Sequence, residues 1–235
     1  MTHGNGSQAP VLNDELRDVA QRLIARYPNK RSAVLPLLFL VQSVEGYVTE
    51  AGMREVAGLL GLTSAQVLAA ASFYTMLKKK PQGEYLVSVC RNVSCTHRGA
   101  RKLIPALEEH LGVETGGTTA DGKFSLETAE CLATCDGAPA IQVNYEDFYN
   151  VTPELAVEIC ERLARGEEVR GERGDPVLTS KEISYQTATT GVRIPSGEVA
   201  PERTIGGESP RADTAPGFRP KEPGTDGEGN GAASG

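Results

Sequence analysis

YLVSVCRNVSC, residues 85–95, joins a predicted β-strand to two cysteines in the pattern C-x4-C. A second stretch of the same kind, FSLETAECLATC at residues 124–135, ends in a C-x3-C pair. Alternating side chains before each pair are typical of a strand. If the two strands are parallel neighbours, the loops that follow them lie at the same end of one sheet. The pattern therefore predicts that Cys90, Cys95, Cys131 and Cys135 come together in space.

The spacing within each pair indicates which metal centre the four cysteines hold. Structural zinc is often bound by C-x2-C pairs, because two thiolates on a tight turn suit one small tetrahedral ion. Each pair here spans a wider loop, which favours a larger centre whose two metals take two thiolates each. A [2Fe-2S] cluster bound by four cysteine thiolates is such a centre. It carries one electron at a time, so the sequence predicts a role in electron transfer.

Four residues beside the cysteine pairs are candidates to tune such a centre. Gly99 and Gly137 flank the loops, and the lack of a side chain there is expected to let backbone amides approach sulfur. Arg91 and Arg98 are candidates to add positive potential, against the alternative that both simply face solvent.

Other uses of the cysteines have less support in the sequence. Disulfides belong to oxidising compartments, whereas five cysteines, an odd number, without a recognisable signal pattern favour a reducing one. A Rieske centre replaces two cysteines by histidines, and His97 alone among the histidines lies near the pairs. A zinc-stabilised protein-interaction module stays open as an alternative from another class. The fifth cysteine, Cys160, is predicted to be a buried spare thiol on a helix.

Composition divides the chain into regions that predict an α+β fold. Residues 1–10 are polar and are expected to be disordered. Residues 11–80 carry apolar residues at helical spacing, which predicts a small bundle of four helices. Residues 84–166 read as β-α-β-β-β-α, a thioredoxin-like layout. Residues 171–235 are rich in glycine and proline with little aliphatic periodicity, so we expect a disordered tail.

Two local details refine the predicted helices. Thr63 and Gln66 form a capping box that starts the fourth helix, which is expected to run to about Leu77. Pro105 lies inside the helix that follows the first cysteine pair. A proline in a helix interior costs about 3 kcal/mol, so this helix must start late or bend.

Charge and hydropathy limit the classes of partner. A net charge of −7 argues against nucleic acid, since a phosphate partner requires a basic face. No apolar run reaches the roughly 20 residues that cross a bilayer, so direct membrane insertion is not expected. We find neither a Ser–His–Asp set nor a pair of carboxylates in evident catalytic positions. No catalytic residue is therefore predicted, and no complete active site is expected in this chain.

Five stretches together resemble one known family. They are YPNKRSAVLPLL (27–38), VQSVEGYVTEAGM (41–53), SFYTMLKKKPQGEYLVSVCRNVSC (72–95), DGKFSLETAECLATCDGAPAIQVN (121–144) and NVTPE (150–154). Through them the chain resembles the two-iron thioredoxin-like ferredoxin subunits of the NADH–quinone oxidoreductases, the respiratory complex I enzymes. The resemblance covers about residues 12–165, and it implies that Cys90, Cys95, Cys131 and Cys135 are the cluster ligands.

The resemblance also implies partners and a location. The cluster would exchange one electron with FMN of a flavoprotein subunit, which also holds the NADH site, and the helical bundle would serve docking. Other hydrophilic-arm subunits would be further partners, and the chain would be cytoplasmic, held at the inner membrane through the complex. A diaphorase subunit of an NAD-dependent hydrogenase or formate dehydrogenase is the alternative within this class. Two residues depart from the family pattern: Ala133 stands where glycine is common, and Pro105 interrupts a helix usually free of proline.

Overall fold

A computed structural model describes residues 10–190, which lie within one compact unit of the chain. The first four helices are α1 (Asp14–Ala25), α2 (Val34–Glu45), α3 (Glu50–Leu60) and α4 (Ser64–Phe73), with a 3-10 turn at Lys30–Ala33 before α2. The signals that bound them are local. Asn13 accepts a hydrogen bond from the Leu16 amide at the start of α1, and the predicted Thr63–Gln66 capping box is present at the start of α4.

Helix α4 ends at Phe73 rather than near Leu77 as predicted, and a tertiary contact explains the difference. The side chain of Gln42, buried in α2, donates to the Met76 carbonyl at 3.1 Å. It also accepts from the Lys78 amide at 2.8 Å. These bonds hold residues 76–78 against α2, and the extended backbone of Tyr74 at the end of α4 leads the chain to them.

The second half of the described chain contains a four-stranded sheet. Its strands are β1 (Tyr85–Cys90), β2 (Phe124–Ala129), β3 (Ile141–Val143) and β4 (Glu146–Phe148), in the spatial order β2-β1-β3-β4. Strands β1 and β2 are parallel, with Cys90 opposite Ala129. The other neighbouring pairs are antiparallel. The predicted parallel pairing is confirmed, and it places both cysteine loops at one end of the sheet.

Three helices accompany the sheet: α5 (Val93–His97), α6 (Leu103–Leu111) and α7 (Pro153–Ala164). A 3-10 turn at Ala100–Lys102 leads into α6, so Pro105 is the third residue of that helix. The first amides of a helix have no intrahelical acceptor, and a proline there loses no hydrogen bond. The late start anticipated from the sequence is therefore what accommodates this proline.

The helical and sheet regions have separate hydrophobic cores. Leu37, Leu40 and Val56 are among the fully buried residues of the helical core. Val87, Leu126 and Ile141 are among those of the sheet core. The predicted α+β class with a thioredoxin-like arrangement is confirmed. That residues 11–80 and 84–166 are two domains, each able to fold independently, stays a prediction.

The expectation of disorder from residue 171 is wrong for residues 171–190, which are ordered and include helix α8 (Ser180–Thr190). Ile183, Ser184 and Ala188 of this helix are buried. The Ser184 hydroxyl lies 3.0 Å from Nε2 of Gln42, so α8 packs on α2 and completes the helical core. Glycine and proline content did not reveal this helix because its stability comes from tertiary burial. Residues 1–9 and 191–235, where disorder was also expected, lie outside the described range.

The segment that precedes α8 runs from the sheet to the helices. The amide of Val177 donates to the Val169 carbonyl at 2.8 Å, and that of Ser180 donates to the Glu84 carbonyl at 2.9 Å. Nδ2 of Asn144 donates to the Leu178 carbonyl at 2.8 Å. The bonds to Glu84 and Asn144 tie the segment to the sheet region, and α8 then packs on α2.

Among residues 10–190, no single helix has the length and apolar character to cross a bilayer. The pair α3 and α4, bent by 117°, meets the length and composition test only when the two helices are taken together.

Candidate metal centre

The first cysteine pair is built into regular structure. Cys90 is the last residue of β1, and Cys95 lies in α5, which starts where Asn92 caps it. The Cys90 amide donates to the Ala140 carbonyl at 3.2 Å, which continues the sheet past the strand end. Cys90 is 3% exposed and Cys95 2% exposed. Both thiols therefore belong to the sheet core.

The groups around the Cys95 thiol show which cysteine side chains lie near one another. Burial raises the pKa of the Cys95 thiol to about 11, and a hydrogen bond with the Cys90 side chain adds to the rise. A backbone hydrogen bond from Ala140 opposes it, and Cys135 lies close enough to contribute a further electrostatic rise. Cys90 and Cys95 are thus hydrogen-bonded to each other, and Cys135 of the second loop is near enough to act on Cys95 electrostatically.

The second cysteine pair is held more loosely. Cys131 lies two residues beyond β2, and Cys135 begins a 3-10 turn at Cys135–Gly137. Both thiols are exposed. The sequence predicted the proximity of the two loops, and it gave no indication that one pair would be buried and the other exposed.

Ala133, between these cysteines, adopts a left-handed backbone conformation with φ of 60°. This conformation is unfavourable for a residue with a Cβ, which explains why glycine suits the position. The Ala133 amide donates a hydrogen bond to Sγ of Cys131 at 3.3 Å. An amide donor to a cysteine sulfur stabilises the negative charge of a thiolate ligand.

The structure shows local roles for the two flanking glycines, and the approach of neighbouring amides to sulfur stays a prediction. The Gly99 amide donates to the Thr96 carbonyl and the Gly137 amide to the Thr134 carbonyl, so neither is directed at sulfur. Gly99 has φ of +113°, a conformation that favours glycine. At Gly137 a Cβ would lie 2.1 Å from Cγ of Tyr149. The missing side chain there makes room for the Tyr149 ring, which anchors the end of the second loop.

Both arginines connect the loops: Arg91 does so through an ion pair, and Arg98 through a hydrogen bond to a neutral carbonyl, which leaves the charge of its guanidinium in place. Arg91 forms an ion pair with Glu130, which precedes Cys131. Nε of Arg98 donates to the Ala138 carbonyl at 2.7 Å, beside the cis peptide bond Ala138–Pro139. Because the Arg91–Glu130 pair is largely exposed, we expect it to contribute at most about 1 kcal/mol.

The donor set fits a [2Fe-2S] centre. All five cysteines are free thiols. Within residues 10–190, no group of three or more His, Cys, Asp or Glu side chains is placed to hold a single metal ion. A two-iron centre requires two thiolates at each iron. The structure supplies the contacting pair Cys90–Cys95, with Cys135 beside it and Cys131 at the same end of the sheet.

One further observation favours a bound group at this position. Thr134, between Cys131 and Cys135, is buried, and its Oγ1 has no hydrogen-bond partner among the described residues. A buried hydroxyl normally has a partner.

Two other residues considered from the sequence are not among the four candidate ligands. His97 is exposed at the end of α5, two residues after Cys95. Cys160 is fully buried in α7, where burial raises the pKa of its thiol to about 12.

Comparison with known proteins gives a family and a fold. The family described as thioredoxin-like [2Fe-2S] ferredoxin matches residues 20–164. One NADH-quinone oxidoreductase subunit, from Mycobacterium bovis, is 46% identical over 178 residues, which cover 76% of this chain and 71% of the relative. NADH-quinone oxidoreductase subunit 2 of Thermus thermophilus is 38% identical over 147 residues, 62% of this chain and 81% of the relative.

A solved structure shares the fold at lower sequence identity. A chain of an NAD+-reducing [NiFe]-hydrogenase in the H2-reduced state superposes with a TM-score of 0.51 at 21% identity. The match covers 56% of this chain and 22% of the hydrogenase chain, so it concerns only a part of that larger protein.

Proposed function

Because the chain belongs to the thioredoxin-like [2Fe-2S] ferredoxin family, we propose that it is the electron-transfer subunit of an NADH–quinone oxidoreductase. In this proposal Cys90, Cys95, Cys131 and Cys135 are the ligands of one [2Fe-2S] cluster. The observation that carries the proposal is that parallel strands β1 and β2 deliver both cysteine pairs to the same end of the sheet, within the matched region.

The residues around the cysteines have roles that suit electron transfer. When bound, the cluster accepts and releases one electron, and its sulfurs become more negative on reduction. The Ala133 amide donates to Cys131, and the backbone of Ala140 bonds to Cys95. Such donors stabilise negative charge on sulfur without transferring a proton. The buried first pair excludes water from one side, while the exposed second pair leaves a short path to a partner on the other.

We propose that the partner is a flavoprotein subunit carrying FMN and the NADH site, as part of a multi-subunit assembly. Apolar side chains support a docking face near the cysteines: Val93, two residues before Cys95, is 66% exposed, and Phe73, at the end of α4, is 78% exposed. A cavity of about 380 Å³ is lined by Thr75 and Met76 on one side and by residues 128–130 and Leu132 on the other. The chain just after Phe73 thus adjoins the second cysteine loop.

Assignment to an NADH–quinone oxidoreductase rests on the relatives at 46% and 38% identity. The hydrogenase likeness, at 21% identity, concerns the fold alone. Through its partner subunits the chain would be held at the cytoplasmic side of the inner membrane. The proteins that co-purify with the chain distinguish this assembly from a hydrogenase or formate dehydrogenase.

Metal analysis and spectroscopy test the cluster itself. Purified protein is expected to be reddish-brown, with iron and acid-labile sulfide each near two per chain and a paramagnetic signal only after reduction. Colourless protein containing one zinc would refute the proposal and favour an interaction module.

Substitutions on the docking face test the partner. Val93→Glu and Phe73→Glu are expected to reduce co-purification of the flavoprotein subunit while leaving iron content unchanged. Leu155→Glu, on α7, is the matched control, since Leu155 is also exposed but lies on the helix that follows the sheet. Full retention of the flavoprotein by both face variants would place docking elsewhere.

A further inference from the structure

Thr134 is the inward-facing residue of the second cysteine loop. Its neighbours Ala133 and Cys135 are exposed, whereas Thr134 is 7% exposed. Its Oγ1 is buried and has no hydrogen-bond partner among residues 10–190. The hydroxyl therefore makes no hydrogen bond to any of the four cysteine sulfurs.

The position of Thr134 makes its lack of a partner unusual. It immediately precedes the turn Cys135–Gly137, where a threonine side chain commonly accepts a bond from a backbone amide. Thr134 makes no such cap, and the Gly137 amide bonds instead to its carbonyl at 3.1 Å. The local backbone thus leaves the hydroxyl available. Since buried hydroxyls are normally satisfied, its partner is expected to be a group that enters the site between the cysteines.

Resting on the proposed function, we propose that the Thr134 hydroxyl donates a hydrogen bond to a sulfur of the bound [2Fe-2S] centre and thereby raises its reduction potential. Reduction adds negative charge to the sulfurs. A donor at fixed position stabilises the reduced form more than the oxidised form, and the proton stays on Oγ1 throughout. Thr134 acts in this respect like the Ala133 amide, but it is a side chain and can be removed by substitution.

The test compares four variants of the full chain with the cluster bound. Thr134→Val keeps the shape of the side chain and removes the hydroxyl, while Thr134→Ser keeps the hydroxyl. Thr96→Val is the matched control: Thr96 is next to Cys95, but its hydroxyl donates to the Arg91 carbonyl at 2.8 Å. Thr134→Ala gives a smaller side chain without the hydroxyl, in case valine does not fit. The measurement is a redox titration followed by electron paramagnetic resonance.

At the potential that half-reduces the unmodified protein, Thr134→Val is expected to lower the ratio of reduced to oxidised cluster by roughly three- to tenfold, tenfold being about 59 mV for one electron. Thr134→Ser and Thr96→Val are expected to leave the ratio unchanged. Cluster loss in both the valine and alanine variants with retention in Thr134→Ser also supports the hydroxyl, since a change of size alone does not explain both.

An unchanged potential in a fully loaded Thr134→Val protein would overturn the inference. That outcome differs from failure of the proposed function, in which the unmodified protein itself shows no iron–sulfur spectrum.

Discussion

The two cysteine loops differ in how firmly the rest of the structure holds them. In the first, Cys90 ends a central strand, Cys95 lies in a helix, and both thiols are buried and in contact. In the second, Cys131 and Cys135 are exposed on a loop whose middle residue, Ala133, has an unfavourable backbone conformation. One half of the site is thus part of the sheet core, and the other half depends on the loop.

This difference between the loops predicts that substitutions in them have different effects on folding and on cluster binding. In the proposed function, a buried, preformed pair would fix the position of the bound centre without reorganisation. The exposed pair would let the centre enter and would leave one side accessible to the proposed electron partner. We therefore expect substitutions in the first loop to affect both fold and cluster, and substitutions in the second loop to affect mainly the cluster.

The largest expected effect comes from exchanging one ligand in each loop for serine. Both Cys95→Ser and Cys131→Ser are expected to abolish or strongly weaken cluster binding, because a serine hydroxyl is a poor substitute for a thiolate at iron. Cys95→Ser is also expected to lower stability by about 1–3 kcal/mol, since it buries a hydroxyl. Cys131→Ser is expected to leave the helical and sheet cores folded. Iron content and circular dichroism measure the two effects.

Cys160→Ser is the control for burial without ligation, because Cys160 is fully buried but lies in α7. It is expected to lower stability while iron content stays normal. Retention of an unchanged paramagnetic signal in Cys131→Ser would contradict the ligand assignment.

Thiol alkylation of the cluster-free protein compares the loops directly. Cys131 and Cys135 are expected to react at least about tenfold faster than Cys90 and Cys95, because reactivity requires an accessible thiolate. Cys160 is expected to react slowest: its pKa of about 12 leaves it protonated at pH 8, and its reactivity rises only as the pH approaches that value. Mass spectrometry after timed labelling measures the order. Equal rates in both loops would show that the first pair is not preformed.

Gly137→Ala tests where the second loop is anchored. A Cβ would overlap the Tyr149 ring, 2.1 Å from its Cγ. Overpacking of this kind costs about 1–3 kcal/mol, which lowers the melting temperature by a few degrees. Gly58→Ala is the matched control: nothing lies within 4 Å of its Cβ position in α3, and it is expected to stabilise the protein by about 0.5–1 kcal/mol. An unchanged melting temperature for Gly137→Ala would show that Tyr149 does not anchor the loop.

The smallest expected effect is a gain in stability from Ala133→Gly. Glycine adopts φ of 60° without the steric cost that alanine bears, so stability is expected to rise by about 1 kcal/mol. The amide that donates to Cys131 is retained, and the reduction potential should change little. Ala129→Gly, at the end of β2 and without positive φ, is expected to lose stability instead. A loss in both variants would mean that the Ala133 conformation carries no strain.

Sequence reasoning was most successful where chemistry and local pattern coincide. Alternation before each cysteine pair predicted β1 and β2, their parallel pairing and the placement of both loops at one end of the sheet. The capping box at Thr63 and the accommodation of Pro105 also follow from nearest neighbours along the chain. These features depend on backbone geometry over a few residues, and the sequence specifies that geometry directly.

Reasoning from sequence failed where distant residues decide the outcome. Helix α8 has little apolar periodicity and forms because it packs on the buried side of α2, where Ser184 contacts Gln42. The Gln42 side chain also bonds to the backbone of Met76 and Lys78, just beyond the end of α4. The role of Gly137 depends on Tyr149, which approaches it from beyond strand β4. None of these partners is close in the chain, so no local pattern reports them.

The sequence alone determined the two strands that lead into the cysteine loops and the presence of two cysteines in each loop, because alternation and cysteine spacing are properties of short segments. Tertiary structure alone decided which thiols are buried, which amides bond to sulfur, and that the Thr134 hydroxyl lacks a partner among the described residues. The physical reason is that burial and hydrogen bonding depend on what the folded chain brings alongside a residue, and that neighbour is usually far away in the sequence.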